Sequence, residues 1–162
     1  MIETRLDKNF KIKGFFDEET STISYVVYDM TSKKCAVIDS VLDFDFSSGT
    51  IDYHNAEKII SFIEKMKLDL EWLIETHVHA DHLSASPYIQ KKLGGKIGIS
   101  EKISDIQNIF GKTFNAGTEF QRDGSQFDRL FKDNDEYKIG SIKCKVINTP
   151  GHTPACTCLL YT

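Results

Sequence analysis

The sequence predicts an α/β (α+β) domain whose chemistry lies at strand ends. Three observations predict it. The N-terminal third is rich in β-branched and aromatic residues in strand-length runs; beyond it, segments of helical period alternate with short apolar runs; and three of the five histidines lie between His77 and His82, where one of those apolar runs ends. The 162 residues make one domain by length, 1–162, large enough to bury a core. With 40% hydrophobic and 27% charged residues the composition is that of a globular chain rather than a disordered, fibrous or membrane one.

Taken in order, "FKIKGFF", "TISYVVYD" and "KKCAVIDS" read as a β-meander. Asp39, at the end of the apolar run Cys35 to Ile38, reads equally as a carboxylate at the rim of a site or as a loop-starting cap on nearby amides. "VLDFDFSSGTIDYHN" reads as a loop, with His54 solvated at its end. In "AEKIISFIEKMKLD" the residues Ile59, Ile60, Ile63 and Met66 recur at helical spacing among charges, an amphipathic helix packed on a sheet. "LEWLIET" reads as a short buried strand. Ser86 and Pro87 open a second helix that Gly94 and Gly95 end. "KIGIS" is a strand and "EKISDIQNIF" a helix with Ile103, Ile106 and Ile109 or Phe110 inward. "GKTFNAGTEFQRDGSQFDRLF" has no clean period and reads as a long irregular loop. "EYKIGSIKCKVINT" makes a hairpin around Gly140 and leads to the strand "CTCLLYT".

Several classes of function are disfavoured. No apolar run approaches the roughly 18 to 20 residues that cross a bilayer, and "MIETRLDKNF" lacks a secretion signal's apolar core, so the reading is cytoplasmic with no membrane partner. A formal charge of −4, with no Lys/Arg run, gives no electrostatic reason to expect nucleic acid. The four cysteines are too few for a disulfide framework; Cys156 and Cys158 read as two small apolar residues on the buried face of a strand, with Cys156 the better functional candidate because it follows His152 closely.

The run "ETHVHADH" carries the chemistry. At a strand end, residues two apart project to one side, so His77 and His79 can present imidazole nitrogens to one divalent ion, roughly 2.0 to 2.1 Å away. Asp81 and His82 turn into the following segment and reach the same ion or a second one. A lone histidine is usually a satisfied structural residue. This cluster follows a buried strand, where α/β proteins place their chemistry, and "TPGHTPAC" offers His152 from a second strand-end loop. The candidate metal ligands are His77, His79, His152, Asp81 and His82, with Asp81 also the candidate catalytic carboxylate.

H-x-H-x-D-H after a buried strand, followed by T-P-G-H-T, resembles the metallo-β-lactamase superfamily. Within it, "ETHVHADHLSASPYIQKKLGG", "FNAGTEFQRDGSQFDRLF" and "NTPGHTPAC" are most similar to persulfide dioxygenases and the related bacterial β-lactamase-like hydrolase proteins, from about Phe15 to Thr162. The resemblance implies a four-layered αββα sandwich. It implies one Fe(II) per chain, held by His77, His152 and an aspartate beyond Thr162, with His79, Asp81 and His82 orienting ligands and water. By that measure the chain corresponds to the family's N-terminal half. The expected activity of the intact form is oxidation of a glutathione-like persulfide to sulfite, impaired in this chain. The alternatives are a glyoxalase II-like zinc thioester hydrolase, in which Asp81 and His82 bind metal directly, and a non-catalytic fragment of the fold. An uncovered sheet face further implies association with a second copy or with a C-terminal piece.

Overall fold

Strand pairing organises the described residues into two facing sheets and a smaller three-stranded one beside the site. The computed structural model describes residues 10–162. The larger sheet is six-stranded. It combines β1 (Phe10–Asp17), β2 (Thr22–Asp29), β3 (Lys34–Ile38), β6 (Asp69–Ile74), β8 (Lys96–Ser100) and β9 (Arg129–Phe131), in the order β1-β2-β3-β6-β8-β9. The first three strands pair antiparallel with one another and form the meander read from the sequence. From β3 onward the pairing is parallel, through helical crossovers. A second sheet of three strands follows, β10 (Glu136–Ile139), β11 (Ile142–Asn148) and β12 (Thr157–Tyr161), with the expected hairpin at Gly140 in the left-handed region.

Helices α1 (His54–Met66), α2 (Ser86–Leu93) and α3 (Ile103–Thr113) cover one face of the large sheet. Ile59, Ile60 and Ile63 of α1 and Ile89 of α2 pack on Val26, Val37, Leu73 and Ile97. The opposite face presents Val27, Ala36, Ile38, Ile74 and Phe131 to Tyr137, Ile139, Ile142, Cys144 and Val146 of the small sheet. The period-2 alternation of strand side chains therefore feeds two cores at once, which explains why "CAVI" and "WLI" are apolar throughout. The layers are helix, sheet, sheet. Among the described residues no helix lies over the outer face of the small sheet, where Lys138, Lys143, Cys158 and Leu160 are exposed. No described helix is long and apolar enough to cross a membrane.

The structure corrects several expectations. The segment read as a loop after Ser40 is a hairpin, β4 (Val41–Asp45) and β5 (Thr50–Asp52), turning at Ser47 to Gly49, and β4 also pairs with β7 (Leu83–Ser84). The long segment after α3 is irregular only to Asp128; its last residues form β9, recruited by backbone pairing with β8. Ile103 and Ile106 face inward, whereas Ile109 and Phe110 are 55% and 46% exposed because the buried stripe of α3 continues through Gln107 and Gly111, where Arg122 and Gln126 fold back on it. Cys156 precedes β12 rather than lying in it. Cys158 is exposed, since Thr157 takes the inward position and alternation sends the next side chain out.

Candidate metal centre

Three connections converge at one end of the sandwich. β3 and β6 are parallel, so the residues that leave them, Asp39 and the run Glu75, Thr76, His77, emerge on the same side. The third is the loop 149–156 between β11 and β12, which carries His152. Thr157 binds the loops together: its backbone N–H and its hydroxyl both donate to the carbonyl of Thr76, at 2.9 and 3.1 Å.

Asp39 sits in the left-handed region (φ 49°) and does both things the sequence allowed. Its Oδ1 accepts the Thr76 N–H at 2.7 Å, as a cap would, and its Oδ2 accepts the Thr76 hydroxyl at 2.7 Å. Oδ1 also lies 3.1 Å from Nε2 of His79.

These bonds assign the imidazole nitrogens. The Thr76 hydroxyl gives its proton to Asp39, so it accepts from His77 Nδ1, 3.0 Å away, and the lone pair of His77 is on Nε2. His79 Nε2 faces Asp39 and also Glu75 Oε2, at 3.2 Å, so that nitrogen carries a proton and Nδ1 is left for a ligand. Nδ1 of His79 is 4.0 Å from Asp81 Oδ1. His82 Nδ1 donates to the Leu83 carbonyl at 3.0 Å, which puts its lone pair on Nε2, a buried atom with no hydrogen-bond partner.

A buried, partnerless imidazole lone pair is what an ion would satisfy. One donor atom from each of His79, Asp81 and His82 lies within 4.8 Å of the others, a spacing that a single divalent ion can span. The ring centroids of His77 and His152 are 5.1 Å apart, with planes at 85°, and His152 is exposed. The structure thus brings together every sequence-predicted ligand, as two adjoining pairs of elements linked by the 4.1 Å approach of His77 to His79. The residues present fit a bound metal ion. His54 lies outside these contacts, exposed at the start of α1.

Electrostatics separates the rings. Burial pushes the His77 ring below its ordinary value and the charge of His79 adds to this, so His77 is neutral and ready to ligate. For His79 burial again works against the charged form, but the hydrogen bonds and charges of Asp39 and Glu75 outweigh it and hold the ring up at about 10. An ion arriving at Nδ1 of His79 therefore displaces a proton.

Glu75 escaped the sequence reading. It is buried, and the available signal was a carboxylate closing the apolar run "LEWLI" with serines at positions 84 and 86 to receive it. Cavities flank the histidines on both sides. One of about 200 Å³ is walled by Val41, Leu42, Phe44 and Phe46 beside His79 and Asp81, and one of about 330 Å³ by Val78, Ile97, Ile99 and Phe127 beside His77 and His82. A larger open groove near Trp72 and Arg129 carries no histidine.

The model of the metallo-β-lactamase superfamily matches residues 18–162. The chain belongs to the metallo-β-lactamase superfamily. It is 48% identical over 151 residues to a probable metallo-hydrolase of Burkholderia pseudomallei, covering 93% of this chain and 51% of that protein. Glyoxylase B2 of Dictyostelium discoideum is 42% identical, covering 90% and 50%. The human mitochondrial persulfide dioxygenase ETHE1 is 24% identical, covering 90% and 45%. Among solved structures, ETHE1 from Myxococcus xanthus superposes with a TM-score of 0.69 at 22% identity, over 93% of this chain and 53% of that one, a likeness of fold. The chain spans about half the length of these relatives. The superfamily is one of metal-binding enzymes, and its members here are named hydrolase, glyoxylase and dioxygenase.

Proposed function

We propose that the protein oxidises a low-molecular-weight persulfide, such as glutathione persulfide, with O₂ and water to a thiol and sulfite, using one Fe(II) per chain. The observation that supports this most directly is the pairing of His77 with His152: two imidazoles at right angles on neighbouring loops, one with its Nε2 lone pair uncommitted and the other open to solvent. Iron bound there would supply adjacent open positions at which the persulfide sulfur and O₂ meet. The chain's own residues do the rest. Thr76 and Asp39 fix the His77 ring; Asp39 and Glu75 fix His79; Asp81, more than half exposed, is the carboxylate placed to orient water at the solvent side. The apolar wall of Val78, Ile99 and Phe127 limits water beside His77.

A second reading, zinc-dependent hydrolysis of a glutathione-type thioester, is favoured by a different observation. His79, Asp81 and His82 offer donor atoms within 4.8 Å, and His82 Nε2 has no other partner, so these residues can hold a metal themselves and orient a water on it. The names of the relatives more than 40% identical lean the same way. Elemental analysis of protein purified without added metal, for the natural chain and His77→Ala, is paired with O₂ uptake on glutathione persulfide and thiol release from a thioester. About one iron per chain, lost in the variant, with O₂ uptake, supports the first reading. Zinc retained in the variant with thiol release supports the second. Absence of metal from both proteins overturns both and leaves a non-catalytic fold. Association across the outer face of the small sheet, where exposed Leu160 pairs with Lys145, belongs to the same proposal. A compact, non-associating monomer on size-exclusion chromatography counts against it.

A further inference from the structure

Glu75 is a buried carboxylate, its side chain 5% exposed, with donor atoms clustered with those of Asp39 and His79. Burying a carboxylate is costly unless it is well partnered, and its partners show what it is for. Oε1 accepts the hydroxyls of Ser84 at 2.6 Å and Ser86 at 2.5 Å. Oε2 is buried, accepts no hydrogen bond, and lies 3.2 Å from His79 Nε2 as an ion-pair contact. Ser86 Oγ is also 3.1 Å from Ser40 Oγ, and Ser40 follows Asp39, which faces the same His79 nitrogen. Ser40 further accepts the Ala85 N–H at 2.9 Å. The contacts close into a ring through Asp39, Ser40, Ser86, Glu75 and His79.

Asp39 alone is a weak director of His79. Both of its oxygens serve Thr76, and only Oδ1 is shared with the imidazole. Glu75 has an oxygen to give His79 outright. We propose that Glu75 is a positioning residue: with Asp39 it holds the proton of His79 on Nε2, so that Nδ1 faces the metal position beside Asp81 and His82, and through Ser84 and Ser86 it sets the distance between that ring and the start of α2. A carboxylate behind a ligating imidazole fixes the ring's tautomer and raises its donor strength, and loss of such a partner typically costs roughly 10- to 100-fold in metal affinity. The inference rests on the reading in which His79, Asp81 and His82 hold a metal themselves.

Glu75→Gln tests it. The amide matches the carboxylate in size, yet either orientation gives up part of its work: with its oxygen on the serines, an N–H₂ opposes the His79 N–H, and with its oxygen on His79 the serines lose their charged acceptor. The probes are Zn²⁺ affinity by competition with a chromogenic chelator and the ¹⁵N shifts of the His79 ring in the zinc-loaded chain. Expected are Nε2–H with a metal-bound Nδ1 in the natural protein, and in Glu75→Gln about 10- to 100-fold weaker zinc binding with a changed His79 signature. Ser86→Ala leaves the Oε2 contact in place and should lower the melting temperature without altering the His79 shifts. Glu75→Gln with unchanged affinity and unchanged His79 shifts overturns the proposal and leaves the metal centre standing. Zinc bound without His79 in the natural protein overturns the proposal together with the reading in which His79, Asp81 and His82 hold the metal, a result that needs no variant to fold.

Discussion

Replacing Asp39 separates its structural work from its work at the site. Its carboxylate is 16% exposed and accepts three hydrogen bonds, two of them from Thr76. In Asp39→Ala the Thr76 hydroxyl can turn to another acceptor and His79 keeps Glu75, but the Thr76 N–H, 2.7 Å from Oδ1, loses its partner. An orphaned, largely buried amide costs about 1 to 3 kcal/mol, and loss of the charged acceptor to His79 adds about 1 to 2. Alanine at φ 49° adds about 1 more, because aspartate tolerates the left-handed region and alanine does not. The sum is roughly 3 to 6 kcal/mol for Asp39→Ala, less by about 1 for Asp39→Gly, and about 1 to 2 for Asp39→Asn, which keeps one oxygen for the amide. Urea unfolding followed by Trp72 fluorescence in the metal-free chain measures all three. The order alanine, glycine, asparagine, from most to least destabilised, is the prediction. If alanine and asparagine both fall within about 0.5 kcal/mol of the natural chain, Asp39 is a solvated loop residue and the reasoning fails.

Acid sensitivity should trace to Asp29, fully buried, which joins the β2–β3 turn to the β10–β11 turn. Burial opposes its ionisation, but hydrogen bonds from Ser141, Ser32 and Thr31 outweigh it and hold the carboxyl far below the usual range. The folded state therefore binds that proton less readily than the unfolded chain. Its stabilisation is complete above about pH 4 and is lost as pH falls through the folded-state value, so Asp29→Asn should flatten the acid limb of a stability profile. An unchanged limb refutes this. In Gly98→Ala the new Cβ would lie 2.5 Å from Cε2 of Phe131, a ring with no free side; about 1 to 3 kcal/mol of destabilisation should appear as a lower urea midpoint, and an unmoved midpoint counts against the packing described. Cys156→Ser should keep metal content and activity, since a serine oxygen can take the Thr153 N–H and hydroxyl that now approach the sulfur at 3.2 and 3.1 Å. Activity lost with metal retained would assign the sulfur a chemical role.

What the sequence disclosed follows from how local each signal is. The helices α1 and α2 and the strands β6, β8 and β10 to β12 announce themselves by period and by Pro or Gly at their ends. The short strands β5 and β9 carry no pattern of their own: "TID" is fully exposed, and "RLF" is a strand only because β8 lies beside it. The same holds at the site. Histidine spacing in "HVHADH" is local and pointed to the ligands, and His152 followed from its strand-end loop. Glu75 was hidden because one carboxylate after an apolar run looks like a strand's polar terminus. Its meaning depends on Ser84, Ser86 and Ser40, which only the fold brings to it. The cysteine pair was misjudged by the position of a strand's first residue, since a shift of one place exchanges inside for outside.

The pair of hydrogen bonds from Thr157 to the Thr76 carbonyl has a mechanical meaning. His77 belongs to the large sheet and His152 to the small one, so the gap between these rings is a ruler for how the two sheets lie across each other, and Thr157 is the rivet beside it. Sliding between the layers would be felt at the rings almost undiminished. Conversely, a ligand that draws His77 and His152 together pulls on the seam between the sheets, which Thr157 holds at this end and the bonds from Ser141 to Asp29 hold at the other.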